Sequence, residues 1–313
     1  MTAAAHQNAK RIGTDAIPVR RMDFEFDDNI PLFWFAGDPL RTMILTAMSG
    51  TFPEGERMFM RSVRHFQKAL RDPELRQRVK AFIGQEAHHG KEHEAFNTMM
   101  TRKGIPVDKI DNFTRIGLGR QEEIYSPERI LAKTCALEHF TALFAETLLA
   151  HPELIDGVDK RLQPLWIWHA IEESEHKAVA FDVYQEQVGD YWTRVSEMMV
   201  TTVLFTFFST MHTMQLLHAS RHQPRARKWS LGQRLKGLWQ HRDLAAELGK
   251  HYLSYYRPDF HPSQKDSQQL RDKGLALLTR LVGDKANLAF DLYVSVEVEV
   301  LNEDLAVIWF KCS

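Results

Sequence analysis

Two spaced sets of glutamate and histidine constrain this chain more than any other feature: Glu56 followed by Glu86-x-x-His89, and Glu138 followed by Glu173-x-x-His176. On a helix, residues three apart are neighbours, so a Glu-x-x-His pair aims both groups along one face. Carboxylates from two helices, with inward Glu-x-x-His pairs from two others, are how a four-helix bundle holds two metal ions. Apolar cores exclude unpaired charge, so six ionisable groups on inward faces need a reason of this kind.

Helical phase places these residues. Thr51–Glu56 reads as a helix start with Pro53 in the first turn, followed by an apolar stripe at Phe59, Val63, Phe66 and Leu70. Glu56 shares that stripe, whereas Glu54 lines up with Met58, Arg61, His65 and Lys68 on a solvated face. A second helix, opened by Asp72-Pro73-Glu74 and running to about Met99, turns Val79, Phe82, Glu86, His89, His93 and Phe96 inward. A third runs from Ser126-Pro127-Glu128 to just before Pro152, with Glu138 on the stripe of Leu131, Cys135, Ala142 and Leu149. A fourth, Lys160 to Val188, turns Leu162, Trp166, His169, Glu173, His176 and Ala180 inward. The turn at Arg71 lies fifteen residues from both Glu56 and Glu86. That equality puts the two carboxylates at one height in a hairpin, about 22 Å from the turn. The midpoint of Glu138 and Glu173 falls in the Pro152–Gly157 turn in the same way. Thr101–Tyr125, rich in Gly, Pro, Asp and Asn, is long enough for one crossover. The expected fold is all-α: a ferritin-like four-helix bundle with a di-metal site and extra C-terminal helices.

Other polar residues divide by phase. His169, one turn before Glu173, is a candidate third imidazole ligand, while His93 is expected behind the ligands or packed in the bundle. Glu92, Glu94, Glu172 and Glu175 point off the stripes and read as solvated. Tyr184 faces inward as core. Four carboxylates offset the charge of two divalent ions. Mixed carboxylate and imidazole donors suit iron or manganese, with zinc as an alternative.

Several stretches resemble the bacterial family known as predicted metal-dependent hydrolases, of the ferritin-like superfamily, over about residues 25–262. They are Phe52-Pro53-Glu54-Gly55-Glu56, Gln85-Glu86-Ala87-His88-His89, Glu138-His139-Phe140, His169-Ala170-Ile171-Glu172-Glu173-Ser174-Glu175-His176 and Tyr255–Pro262. The ligand pattern is also similar to that of the di-iron arylamine N-oxygenases, whose extra histidine stands four residues before the last ligand glutamate, as His169 does here. That resemblance implies the ligand set Glu56, Glu86, His89, Glu138, His169, Glu173 and His176. It also implies dioxygen activation by analogy but carries no substrate with it; the expected reading is oxidation of a small organic substrate, with an electron donor as partner. The alternatives are hydrolysis by a metal-activated water and a non-catalytic metal-binding or membrane-associated role.

The remaining features set bounds. A net charge of −1 gives no reason to expect nucleic acid. Cys135 and Cys312, without a C-x-x-C pair, argue against zinc ribbons and iron–sulfur clusters and fit a reducing, cytoplasmic setting. Residues 1–22 are polar and basic and read as a mobile arm without a secretory signal. The expected divisions are an arm over 1–35, the bundle over 36–190 and a helical extension over 191–313. Met198–Ser220 carries no Asp, Glu, Lys or Arg, and Arg221, Arg225, Arg227 and Lys228 follow. Its stripe of Val200, Val203, Leu204, Phe207, Phe208, Met211 and Met214 is expected to pack a helix on the bundle. Peripheral membrane contact through 198–228 is the alternative, and a true span the third choice. A homodimer is compatible with all of this. Trp229–Tyr256 reads as one or two helices, Gln264–Leu281 as weakly helical, and Leu288–Phe310 as strand or irregular helix.

Overall fold

The computed structural model describes residues 17–223 and 242–283, and among these the regular secondary structure is helical, with no strand. Three helix starts use one device. Asp38-Pro39, Asp72-Pro73 and Ser126-Pro127 open α1 (Pro39–Gln67), α2 (Pro73–Arg102) and α4 (Pro127–Ala150), placing proline where its missing N–H costs nothing. The Asp38 carboxylate accepts from the Leu40 N–H at 2.8 Å, and the Asp72 carboxylate from the Glu74 N–H at 2.9 Å.

α1 therefore begins at Pro39 rather than at the expected Thr51, and Pro53 lies inside it. A proline there deprives the Ser49 carbonyl, four residues back, of its helical donor. The side-chain amide of Asn97 on α2 takes that place, donating to the Ser49 carbonyl at 2.9 Å. The Thr101–Tyr125 connection is itself mostly helix, α3 (Val107–Ile124). The expected fourth helix is two, α5 (Gln163–His176) and α6 (Val179–Gln187), broken at Lys177-Ala178 directly after His176. At that break the buried Lys177 ammonium donates to Glu146 on α4 at 2.6 Å, and to the Lys265 carbonyl and the Ser267 hydroxyl at 2.8 Å each.

Two apolar clusters order the helices. Met43 and Ala47 of α1, Phe96 and Met99 of α2, Leu149 of α4 and Trp166–Trp168 of α5 belong to the first. Phe59 and Val63 of α1, Val79 and Phe82 of α2, Leu131 and Cys135 of α4 and Val179–Phe181 of α6 belong to the second. Between them every one of these segments carries its glutamates and histidines, so the polar residues form one layer. α1 and α5–α6 run from the first cluster to the second, and α2 and α4 run back. α2 thus ends where α4 does not begin. α3 covers the difference: Val107 and Ile110 pack in the first cluster and Leu118 against the second.

The apolar stripe of α7 (Tyr191–Ala219) is only partly covered: Leu204, Phe208 and Met211 are half-buried, Phe208 against Phe113 of α3, and the rest is exposed. α7 does pack on α1 and α4, yet Val203, Phe207 and Met214 are 67, 61 and 59% exposed. Its buried face is Val195, Met198, Thr201, His212, Thr213 and Leu216. Thr213 can be buried because its hydroxyl donates to the Ser209 carbonyl at 2.8 Å. No helix of the described residues is long and apolar enough to cross a membrane. α8 (Arg242–Ser254) packs on α4, and α9 (Gln268–Val282) on α4 and α5. The expectations for 229–241 and Leu288–Phe310, and the basic residues Arg225, Arg227 and Lys228, lie outside the described residues.

The N-terminal segment from Ile17 onward is not the loose arm expected of it. Gln85 of α2 donates its side-chain N–H to the Pro18 carbonyl at 2.9 Å, and the Phe24 N–H donates to Glu92 at 2.8 Å. Phe24 meets Trp168 edge-on, and Arg20 is only 2% exposed.

Candidate metal centre

The polar layer brings together all seven residues of the expected ligand set, every one buried. Their donor atoms form three overlapping groups, the atoms in each lying within 4.8 Å of one another. Glu56, His89 and His169 form one, and Glu86, Glu138 and His176 another. Glu86, His89 and Glu173 form the third, which joins the other two. The groups do not follow the sequence repeats: each of the first two draws on both hairpins. His176 Nε2 lies 3.1 Å from Glu86, 3.4 Å from Glu173 and 3.5 Å from Glu138. The rings of His89 and His169 stack at 4.1 Å.

Charge in this layer is under-compensated. Both carboxylate oxygens of Glu56, Glu86 and Glu138, one of Glu173, both nitrogens of His89 and Nε2 of His176 are buried without a hydrogen-bond partner. Burying such groups unpaired is costly, and native interiors rarely do it. Burial, and then the charges of Glu173 and Glu138, push Glu56 well above the ordinary carboxylate range. Burial followed by Glu138, Glu173 and Glu56 does the same to Glu86. Glu138 rises to about 8, burial outweighing the pull of His176. For His176 burial acts downward, but Glu173 and Glu138 overcome it and lift the imidazole to about 9. His89 goes the other way: burial, then the nearby His169, hold it well below the usual range. Crowded carboxylates that repel one another, with open donor atoms converging between them, suit cations.

A hydrogen-bond chain behind His169 fixes which of its nitrogens faces the layer. Because the Asn97 amide donates to the Ser49 carbonyl, its oxygen must be the acceptor for the Ser49 hydroxyl, 2.8 Å away. With that hydroxyl proton spent, His93 Nδ1 donates to Ser49 Oγ at 2.8 Å. His93 Nε2 then accepts from His169 Nδ1 at 2.6 Å. With one ring proton, placed on Nδ1 by this chain, His169 has a lone pair on Nε2, 2.9 Å from Glu173 Oε1. Two lone pairs at that distance repel, so a proton or a cation belongs between them. Phe52 stands 5.1 Å from the His169 ring, while Phe82 and Trp168 meet His176 and His89 edge-on at 4.9 and 4.8 Å. These rings keep water from the donors.

Several residues around the layer depart from expectation. Glu172 is fully buried, 3.2 Å from His89 Nε2. Glu92 is buried and Glu175 half-buried, whereas Glu94 is well exposed and pairs with Arg57. Glu54 is buried as well, 2.7 Å from Arg57. The sequence did carry a signal for Glu172: apart from His169, α5 is apolar from Leu165 to Ile171, and such a helix leaves little solvated face for an acid to occupy. Tyr184 is core, its hydroxyl donating to the Asp190 carbonyl at 2.7 Å.

No curated protein and no solved structure matches the chain. One family model does, over residues 18–266, a range running from the arm that carries Arg20 through the whole donor layer to the Glu146–Lys265 contact. Its description is predicted metal-dependent hydrolase, a metal dependence in keeping with the candidate donor groups, and the chain belongs to that family.

Proposed function

We propose that the chain is a two-metal enzyme of the ferritin-like kind. Glu56, His89 and His169 would hold one ion and Glu86, Glu138 and His176 the other, with Glu173 reaching both. The observation carrying this reading is the pair of disjoint donor groups in which the carboxylate oxygens, both His89 nitrogens and His176 Nε2 are buried without partners. Four carboxylates balance two divalent charges, and the donor set suits iron, manganese or zinc. The single crossover through α3 supports the ferritin-like label.

Hydrolysis of a small-molecule substrate is the favoured reaction class, supported by the family description. Bound divalent ions would supply Lewis-acid polarisation and an acidified water, or, were they ferrous, electrons for dioxygen. The chain's own part is to hold donors in place, to keep the layer dry with Phe52, Phe82 and Trp168, and to fix His169 through His93, Ser49 and Asn97. Oxidation by dioxygen, with an external electron donor, is the second reading. Its support is the third imidazole, His169, standing where the arylamine N-oxygenases carry theirs.

The two separate in one set of assays. Protein loaded with zinc, manganese or ferrous iron is offered a panel of esters and phosphoesters, and oxygen uptake by the ferrous form is followed with an electrode. Hydrolysis with any of the metals and no oxygen uptake supports the favoured reading. Stoichiometric oxygen uptake without hydrolysis would replace it with the second.

A further inference from the structure

We propose that Arg20, in the N-terminal segment, is a positioning residue for both Glu-x-x-His imidazoles, so that docking of this segment and metal binding are coupled. The inference rests on the two-metal reading.

Two branches leave the buried guanidinium. In the first, Arg20 Nη1 donates to Glu172 Oε1 at 3.1 Å, and Glu172 Oε2 lies 3.2 Å from His89 Nε2. In the second, the two terminal guanidinium nitrogens, Nη1 and Nη2, donate to Glu175 at 2.7 Å each. Glu175 Oε2 accepts from Gln85 Nε2 at 2.9 Å, and Gln85 Oε1 faces His176 Nδ1 at 3.0 Å. The orientation of the Gln85 amide follows from its two outer partners: the nitrogen serves Glu175 and the Pro18 carbonyl, both acceptors. Its oxygen must therefore accept, so His176 Nδ1 carries a proton and Nε2 is turned to the carboxylates as a donor atom. On the other branch, the Glu172 carboxylate stands beside His89 Nε2 as a charge neighbour without an aligned hydrogen bond; its charge favours the tautomer protonated there, which leaves His89 Nδ1, 3.7 Å from Glu173, for a metal. One cation thus sets an imidazole from each hairpin. Glu172 without Arg20 would be a buried carboxylate missing its neutralising partner, and a lysine lacks the planar fork that grips both oxygens of Glu175.

By linkage, whatever the docked segment contributes to metal affinity, metal returns to the docking of the segment. Full-length wild type, Arg20→Gln and Glu175→Gln are titrated with Co²⁺, following affinity, stoichiometry and the visible ligand-field spectrum. Wild type should bind two ions. Arg20→Gln should bind about 10–100-fold more weakly with altered ligand-field bands, as loss of a group that orients ligands does, and Glu175→Gln should show a smaller change of the same kind. Unchanged affinity and spectrum in Arg20→Gln overturn the proposal. Should that variant not fold, amide hydrogen exchange of residues 17–24 in wild type decides: exchange slowed by Co²⁺ supports the coupling, and identical exchange overturns it. A wild-type chain that takes up no Co²⁺ overturns the two-metal reading and this inference with it, a result distinct from normal uptake indifferent to Arg20.

Discussion

Replacing Gly90 by alanine should move stability and metal affinity in opposite directions. Gly90 follows His89 on α2, and a Cβ there would stand 3.1 Å from Glu56 Oε2 and 3.8 Å from the Pro53 Cα. The backbone contact is ordinary, and the tight one is to the far end of a side chain that can rotate. Alanine in a helix interior is better than glycine by roughly 1 kcal/mol. Metal-free Gly90→Ala should therefore be as stable as wild type, or more stable by up to about 1 kcal/mol. Relieving the contact moves the Glu56 oxygen by a few tenths of an ångström, comparable to the roughly 0.2 Å tolerance of metal–ligand distances. Affinity should fall on the order of tenfold, about 1.4 kcal/mol. Urea unfolding of the metal-free protein and a calorimetric Co²⁺ titration measure the two quantities. Wild-type affinity in a stably folded Gly90→Ala would refute Glu56 as a ligand, and a large loss of stability would refute the packing argument.

The internal proline of α1 gives a second test. Asn97→Ala should cost about 1–3 kcal/mol because it strips the Ser49 carbonyl of its donor, and the cost should shrink in a Pro53→Ala background, where residue 53 regains an N–H. Denaturant unfolding of the four proteins in that cycle measures the difference. Gly274 on α9 is closely packed: a Cβ would meet Leu149 Cδ2 at 2.7 Å and Ile171 Cγ1 at 2.9 Å. Gly274→Ala should lose about 1–3 kcal/mol despite the better helix former, read as a lower melting temperature. Asp182 accepts from Arg78 at 2.7 Å and faces His261 at 2.8 Å. Burial works against it, but these partners hold its carboxyl below the usual range. A lowered folded-state value means stabilisation present above the unfolded pKa and lost as pH falls through the folded one. Asp182→Asn should therefore melt lower at neutral pH, the gap closing in acid below the ordinary aspartate range.

What could be read in the sequence was what depends on local spacing. Periodicity chose Glu56 for the donor layer, and equal distances to each turn put the glutamate pairs at one height. His169 followed from its place one turn before Glu173. What escaped was set by distant partners. Pro53 looked like a helix start because its compensation, the Asn97 amide, sits on another helix. Glu172 looked solvated because its guanidinium partner comes from residue 20, a segment whose composition suggested a loose arm. The stripe of α7 suggested a buried face, yet a threonine such as Thr213 buries as readily when its hydroxyl bonds back to the helix. Periodicity reports that two faces differ, and which one meets the bundle depends on the surface it meets.

Metal analysis of the protein beside its Glu86→Ala/Glu173→Ala variant bears most directly on the two-metal centre. After loading and desalting, wild type should retain two ions per chain and the variant should lose them while remaining helical by circular dichroism. Equal metal content in the two, or a wild type that retains none after loading, would contradict the account.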